Sequence, residues 1–238
     1  MEPARIASLL APFLAPGSRP DDSLSGRQLA QVSTYLDLLL KWNARINLTS
    51  VRQPEEIVTR HFGESFFAAR QLIPSGIVIP SGARPGAAGS AQSRDLGSAD
   101  LIDLGSGAGF PGLPLKLYAP ALAVTLIESN QKKATFLREV IRALTLTNID
   151  VFAGRAEDFP GRAVIVTLRA VEKPQRALAA AARLISPGGR LALLIGASQA
   201  GDAQGLLPGF SWADPVTLPG SSGRVLLLGT KERQESER

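Results

Sequence analysis

Residues 101–113 read Leu-Ile-Asp-Leu-Gly-Ser-Gly-Ala-Gly-Phe-Pro-Gly-Leu, the most informative local pattern in the chain. Its apolar start, at Leu101, Ile102 and Leu104, predicts a buried strand. Glycines follow at positions 105, 107, 109 and 112. Because glycine has no Cβ, it lets a backbone turn sharply and come close to a ligand. Pro111 suits a helix start, where its missing N–H removes only a donor without a partner in the helix. The stretch therefore predicts a strand, a ligand-binding turn and a helix.

Strand and helix patterns alternate after this turn. We predict helices over residues 112–118, 132–144 and 174–184, and strands over residues 101–104, 123–128, 149–153, 164–168, 191–195 and 224–229. Ser186-Pro-Gly-Gly-Arg190 is predicted as a turn. Such alternation is typical of an α/β fold in which helices cover both faces of a mostly parallel sheet.

The first third of the chain has a different pattern. Apolar residues recur at helical spacing over residues 4–14, 25–46 and 54–69, so we predict helices there. Residues 80–99 consist mostly of proline, serine, glycine, alanine and arginine, which cannot bury much surface. We therefore divide the chain into a helical N-terminal extension packed on the core (1–79), a flexible insertion (80–99) and a ligand-binding core (100–238).

Composition excludes several kinds of site. The chain of 238 residues has no cysteine and one histidine, so a disulfide, a thiolate metal site and a histidine metal centre are not expected. No apolar run approaches the ~20 residues of a membrane span, and the start does not resemble a signal peptide. We expect a cytoplasmic monomer. Its 26 basic against 21 acidic residues suit a polyanionic partner.

The glycines match a nucleotide-binding pattern. Gly107, Gly109 and Gly112 form G-x-G-x-x-G, and Glu128 ends the next predicted strand. A carboxylate in that place can accept from ribose hydroxyls of either a nicotinamide dinucleotide or S-adenosylmethionine. Asp103 favours S-adenosylmethionine, because its charge suits the cationic amino acid end of that molecule and not a pyrophosphate. The loop after the third strand of the core, residues 154–158, should flank the adenine.

Several motifs occur together in one order, and together they resemble a known family. The chain is similar to the bacterial 16S ribosomal RNA (guanine-N7) methyltransferase G family, also called glucose-inhibited division protein B. The resemblance covers about residues 28–230 and is carried by Asn47-Leu-Thr-Ser-Val-Arg52, Arg60-His61, the turn from Asp103 to Gly112, Glu128-Ser-Asn-Gln-Lys-Lys-Ala-Thr-Phe-Leu-Arg138 and Arg155-Ala-Glu-Asp158.

The resemblance implies a Rossmann-like class I methyltransferase with a mostly parallel seven-stranded sheet. It also implies transfer of a methyl group from S-adenosylmethionine to N7 of a guanine in 16S ribosomal RNA or the 30S particle. The cofactor-binding residues are then Asp103, Gly105, Gly107, Phe110, Glu128, Ala156, Glu157 and Arg169. The chain departs from the family in having Leu168 where a small polar residue is common, Glu64 where aspartate is usual, and a long insertion at 80–99.

We assign no catalytic proton-transfer residue. Guanine N7 carries an in-plane lone pair and no proton, so the transfer needs alignment and not a general base. His61 lies on a predicted apolar helix face, where packing and a hydrogen bond are the simpler role.

Basic side chains near the predicted cofactor edge are candidates for contact with RNA phosphates. They are Arg52, Arg60, Lys132, Lys133, Arg138 and Lys173. Two alternative functions stay open at this point, namely a small-molecule methyltransferase of the same fold and an RNA-binding module without activity.

Overall fold

The computed structural model describes residues 1–14, 23–73, 98–169 and 174–233. The N-terminal extension contains α1 (Pro3–Leu14), α2 (Gly26–Ile46), α3 (Pro54–Ile57) and α4 (Glu64–Leu72). A π-helix, Val58–Gly63, joins α3 to α4 inside the single helix that was predicted. Most of the predicted insertion lies outside the described residues. Its last two residues begin the first strand instead, because Ser98 and Ala99 pair with Arg162 and Ala163.

The core alternates strands and helices as predicted. Its elements are β1 (Ser98–Leu104), α5 (Gly112–Tyr118), β2 (Val124–Ile127), α6 (Gln131–Ala143), β3 (Ile149–Phe152), β4 (Arg162–Arg169), α7 (Pro174–Leu184), β5 (Ile185–Gly196), α8 (Ala200–Leu206), β6 (Phe210–Trp212), β7 (Val216–Thr217) and β8 (Arg224–Lys231). Short 3-10 helices occupy Ala156–Asp158 and Ala197–Gln199.

The strands of the described residues form one sheet in the order β3-β2-β1-β4-β5-β8-β6. β1 to β5 are parallel, while β8 runs antiparallel to β5. The predicted mostly parallel sheet is confirmed, with eight strands where seven were expected, because the two-residue β7 adds a pairing to β8. The predicted turn at 186–190 lies within β5. The sequence did not predict β6 and β7, which have only three and two residues, or α8, which contains two glycines and one large apolar residue.

Alternate strand residues point to opposite faces of the sheet and build two cores. Leu101 and Ile165 face a core formed with α1, α2, α4, α5 and α6, whereas Ile102 and Val166 face one formed with α7 and α8. The N-terminal extension is therefore part of the helical layer on one face of the sheet.

Polar contacts from α2 join the extension to the core helices. Ser25 caps α2 by accepting from the backbone N–H of Gln28. The side chain of Gln28 donates to Leu117 O at 2.7 Å, and that of Gln31 donates to Leu144 O at 3.0 Å. These amides satisfy carbonyls at the ends of α5 and α6, which have no partner within their helices.

Candidate functional site

The glycine turn lies where the direction of strand order reverses. β1 has β2 on one side and β4 on the other, and their carboxyl ends lie at one edge of the sheet. Ligands of open α/β sheets bind in the crevice at such a switch point. The backbone N–H groups of Gly105 and Ser106 donate to Ile127 O at 2.9 and 3.1 Å, which fixes the turn to the end of β2.

Two glycines of the turn have free space where a side chain would lie. Gly105 and Gly107 have φ values of 71° and 56°, a left-handed conformation that favours glycine. A Cβ on Gly105 would meet no atom within 4 Å, and one on Gly107 would meet only Gly105 O at 3.8 Å. This free space beside bare backbone is what close approach of a ligand requires.

Gly112 serves packing instead. A Cβ there would lie 2.5 Å from Leu126 Cδ2 and 2.7 Å from Asp103 Cβ. Glycine therefore lets α5 begin directly against β1 and β2.

Asp103 lies beneath the turn and is only 1% exposed. Its Oδ1 accepts from Thr167 Oγ1 at 2.7 Å, while Oδ2 is buried without a hydrogen-bond partner among the described residues. Burial raises the pKa of Asp103 to about 6, although interactions with the Thr167 and Ser106 side chains and the Gly112 backbone lower it. Oδ2 lies beside the start of α5, 2.8 Å from the position that a Cβ on Gly112 would take, and is a buried acceptor suited to a cationic or hydrogen-bond-donating group.

Glu128 reaches the same turn from the end of β2. Its Oε2 accepts from the Gly107 N–H at 2.8 Å, and its Oε1 accepts from the Asn130 N–H at 2.7 Å. The structure thus brings Asp103, the glycines and Glu128 together, as the sequence spacing predicted.

A pocket of about 820 Å³ opens beside Gly105. The ends of β1 and β4 contribute Leu104 and Arg169, and the loop after β3 contributes residues 153–158. Ala156 is buried, while Glu157 is exposed and forms an ion pair with Arg176 of α7 at 2.6 Å. Of the eight predicted cofactor residues, Gly105, Ala156, Glu157 and Arg169 line this pocket, whereas Asp103, Gly107, Phe110 and Glu128 do not.

Phe110 lies in an aromatic cluster at the back of the turn. Its ring is stacked on Tyr35 with centroids 5.4 Å apart, and it contacts His61 at 5.0 Å and Phe62 at 5.0 Å. The turn is therefore packed against α2 and the π-helix of the extension.

His61 is a neutral packing residue. Its Nε2 shares a hydrogen bond of 2.8 Å with Thr49 Oγ1, and its ring lies against Phe110. Burial, with the nearby charges of Arg169, Arg60 and Arg224, lowers the pKa of His61 to about 3. The geometry agrees with the packing role expected from the sequence.

Arg169 is held by a buried carboxylate. Its Nη2 donates to Glu64 Oε2 at 2.8 Å and to Arg60 O at 2.8 Å. Glu64 is 1% exposed, and its Oε1 also accepts from Arg224 Nε at 2.9 Å. One carboxylate thus bridges two guanidinium groups, so this end of β4 keeps an excess of positive charge.

The candidate RNA contacts are placed in separate elements. Lys132 and Lys133 begin α6, and Lys133 lines the pocket. Arg60 lies on the π-helix with its carbonyl bonded to Arg169. Arg52 donates to Asn43 O and Asn47 Oδ1, and Arg138 donates to Val151 O. Lys173 lies outside the described residues.

Sequence reasoning assigns no site role to three residues that shape this site, although Glu64 is one of the departures from the family. Tyr35 hydrogen-bonds to the glycine turn, Thr167 hydrogen-bonds to Asp103, and Glu64 bridges two arginines. Two signals in the sequence could have pointed to them, namely the Tyr35 hydroxyl on the apolar face of α2 and the acid Glu64 among the apolar residues of α4.

The described parts of the chain contain no cluster of His, Cys, Asp or Glu that could hold a metal ion. Within those same parts, no helix is both long and apolar enough to cross a membrane.

Solved structures with a similar fold include methyltransferases. Magnesium protoporphyrin IX methyltransferase (ChlM) from Synechocystis PCC 6803, with bound SAM, has a TM-score of 0.57 at 16% identity and covers 83% of this chain and 97% of that one. TrmN from Thermus thermophilus has a TM-score of 0.52 at 20% identity and covers 73% of this chain and 53% of that one. At these identities the likeness shows the fold alone, which is the predicted Rossmann-like class I methyltransferase fold.

Sequence comparisons show the family. The family model for rRNA small subunit methyltransferase G matches residues 28–83 and 89–206. Ribosomal RNA small subunit methyltransferase G of Chloroflexus aggregans is 37% identical over 222 residues, covering 87% of this chain and 84% of that protein. The protein of the same name from Stenotrophomonas maltophilia is 34% identical over 230 residues, covering 95% of each. The chain therefore belongs to the rRNA small subunit methyltransferase G family, as its motifs predicted.

Proposed function

We propose that this protein transfers the methyl group of S-adenosylmethionine to N7 of a guanine in 16S ribosomal RNA, in the cytoplasm where ribosomes are assembled. One observation carries the cofactor assignment. Gly105 is a left-handed glycine that lines the pocket and whose missing Cβ leaves open space, and it follows two residues after Asp103, a carboxylate with an unsatisfied buried oxygen. Bare backbone and an unpaired acceptor together fit a ligand with a cationic amino acid end.

The chain's residues fit the parts of this cofactor. Asp103 and the backbone of Gly105 and Gly107 would hold the amino acid end. Glu128, at the end of β2, is placed for the ribose hydroxyls, although in this structure its oxygens accept from backbone N–H groups. Ala156 and Glu157 would border the adenine, and Phe110 and Arg169 would close the site toward the extension. S-adenosylmethionine supplies an electrophilic methyl group on a sulfonium.

The protein's contribution to the reaction is alignment. Because guanine N7 carries a lone pair and no proton, nitrogen, carbon and sulfur need only be brought into line. His61, with its pKa lowered to about 3, is neutral at physiological pH and is already hydrogen-bonded to Thr49. These properties support a mechanism without a general base.

Charge around the pocket supports an RNA substrate. Its lining includes Lys133, Arg155, Arg169 and Arg176 against two acids, Glu157 and Asp158. An excess of basic groups attracts a polyanion and makes its binding depend on salt. A guanine in a loop or single strand would expose N7 for in-line attack, whereas the deep groove of an A-form helix would hide it.

The test is methyl transfer from methyl-labelled S-adenosylmethionine to 30S subunits, naked 16S RNA and a small-molecule extract, with subunits taken from cells that lack this protein. We expect label in the RNA or the subunits, recovered as 7-methylguanosine after digestion. Label in the extract alone would establish a small-molecule methyltransferase instead. Binding of the subunits without binding of the cofactor in titration calorimetry would establish an inactive RNA-binding module.

A further inference from the structure

Tyr35 of α2 reaches the backbone of the glycine turn. It is 0% exposed, and its hydroxyl donates a hydrogen bond to Ala108 O. The two residues are 73 positions apart in the sequence, so this bond joins the N-terminal extension directly to the turn. A tyrosine on a fully buried helix face usually has a hydrogen-bond partner for its hydroxyl.

The ring of Tyr35 also holds the next side chain of the turn. It is stacked on Phe110 with the planes 7° apart, and it meets the edge of Phe62 at 5.0 Å. His61 contacts Phe110 as well, so the Phe110 ring is held by α2 and by the π-helix. One tyrosine therefore contacts both Ala108 and Phe110.

Gly109, the residue between them, is shaped by the same contact. A Cβ at this position would collide with the Tyr35 hydroxyl and with Leu113 Cδ1. Gly109 also has a φ of 93°, which side-chain-bearing residues rarely adopt. Tyr35 therefore packs closely against three consecutive residues of the turn, 108–110.

We infer that Tyr35 is a positioning residue for cofactor binding, which keeps the glycine turn in its binding conformation without touching the ligand. The inference rests on the proposed assignment of this turn to S-adenosylmethionine. If only a fraction of the molecules holds the turn in its binding conformation, the apparent affinity for the ligand falls in proportion to that fraction. The hydroxyl of Tyr35 and its ring keep that fraction high, so the extension forms part of the cofactor site.

The test compares cofactor binding by Tyr35→Phe and the wild-type protein in titration calorimetry. The variant keeps the stacked ring but leaves Ala108 O without its donor, so we expect Kd for S-adenosylmethionine to rise about tenfold. Tyr118→Phe is the chemical control, since Tyr118 is the second of the two tyrosines in the sequence. Leu10→Ala is the stability control, because Leu10 is buried in α1 of the same extension. Both controls should bind like the wild type.

Two further readouts separate positioning from general stability. In Tyr35→Phe, hydrogen exchange should become faster at the amides of Gly109 and Phe110, which donate to Ser106 O, and should stay unchanged in α1. The KM for S-adenosylmethionine should rise while the KM for 30S subunits stays the same.

Several results would overturn the inference. Wild-type affinity in Tyr35→Phe would do so, as would an equal loss of affinity in either control. Faster exchange throughout the extension would show that Tyr35 only stabilises the fold. If the wild-type protein itself did not bind S-adenosylmethionine, the proposed function would fail, and this inference with it.

Discussion

Gly105→Ala is the sharpest test of the proposed cofactor turn, because its effects on stability and on binding can be separated. Gly105 has a φ of 71°, and a Cβ added there meets no protein atom within 4 Å. The methyl group therefore strains the backbone without causing a clash. It points into the free space that the proposal assigns to the cofactor.

The expected loss of stability is small. A left-handed conformation costs an L-residue about 1–2 kcal/mol relative to glycine. In a protein of this size, about 1 kcal/mol lowers Tm by roughly 2–4 °C. A methyl group forced into an occupied site costs about 1–3 kcal/mol, so Kd for S-adenosylmethionine should rise about tenfold to hundredfold.

Gly220→Ala is the matched control. Gly220 has a φ of 68°, and a Cβ there also meets nothing within 4 Å, but it lies between β7 and β8 and does not line the pocket. Thermal unfolding should give similar Tm shifts for both variants, while calorimetry should show weakened cofactor binding for Gly105→Ala alone. Equal cofactor affinities in the two variants would refute the assignment of the turn.

Further predictions concern the ion pairs, the histidine and the basic surface. Glu64→Ala should destabilise the fold by about 3–5 kcal/mol in urea unfolding, because it leaves Arg169 and Arg224 without their shared carboxylate; a loss below about 1 kcal/mol would contradict this. His61 has a pKa near 3 when folded against 6.5 as its ordinary value, so the unfolded chain binds an extra proton between these values and wild-type stability falls with acid. The stability advantage of wild type over His61→Gln should therefore shrink by about 2 kcal/mol between pH 7.5 and pH 5, and a constant difference would show that His61 is not held neutral. Asp103 changes stability with pH in the opposite direction, because its raised pKa gives stability that is lost as pH rises through about 6. This contribution is the same in wild type and in His61→Gln, so it cancels in the difference between them. Lys132→Ala should lower the slope of log affinity for 30S subunits against log salt by about 1 without changing cofactor affinity, and an unchanged slope would remove Lys132 from the RNA surface.

Local patterns were enough to predict the strand, the turn and the helix around residues 101–113. Leu101 and Ile102 face the two separate cores of the sheet, so the strand is apolar on both sides, and Asp103 alone interrupts its run from Leu101 to Leu104. Glu128 could be placed because β1 and β2 are adjacent and parallel, which brings successive strand ends together.

The contacts that hold the site from behind could not be predicted. Tyr35 and Ala108 are 73 residues apart, and Arg224 and Glu64 are 160 apart, so no local pattern links them. The burial of Asp103 was also hidden, because the sequence predicted it near the ligand but could not show that Thr167 of β4 would donate a hydrogen bond to it inside the sheet. Tertiary packing decides these details, and it brings the extension to the turn.

Mass spectrometry of 16S ribosomal RNA from cells with and without this protein tests the proposed methyl transfer to guanine N7. The proposed function predicts that one guanine loses its N7 methyl group in the deletion strain, and that wild-type protein restores it while Gly105→Ala restores it poorly. An unchanged map of modified 16S nucleotides in the deletion strain would contradict the claim.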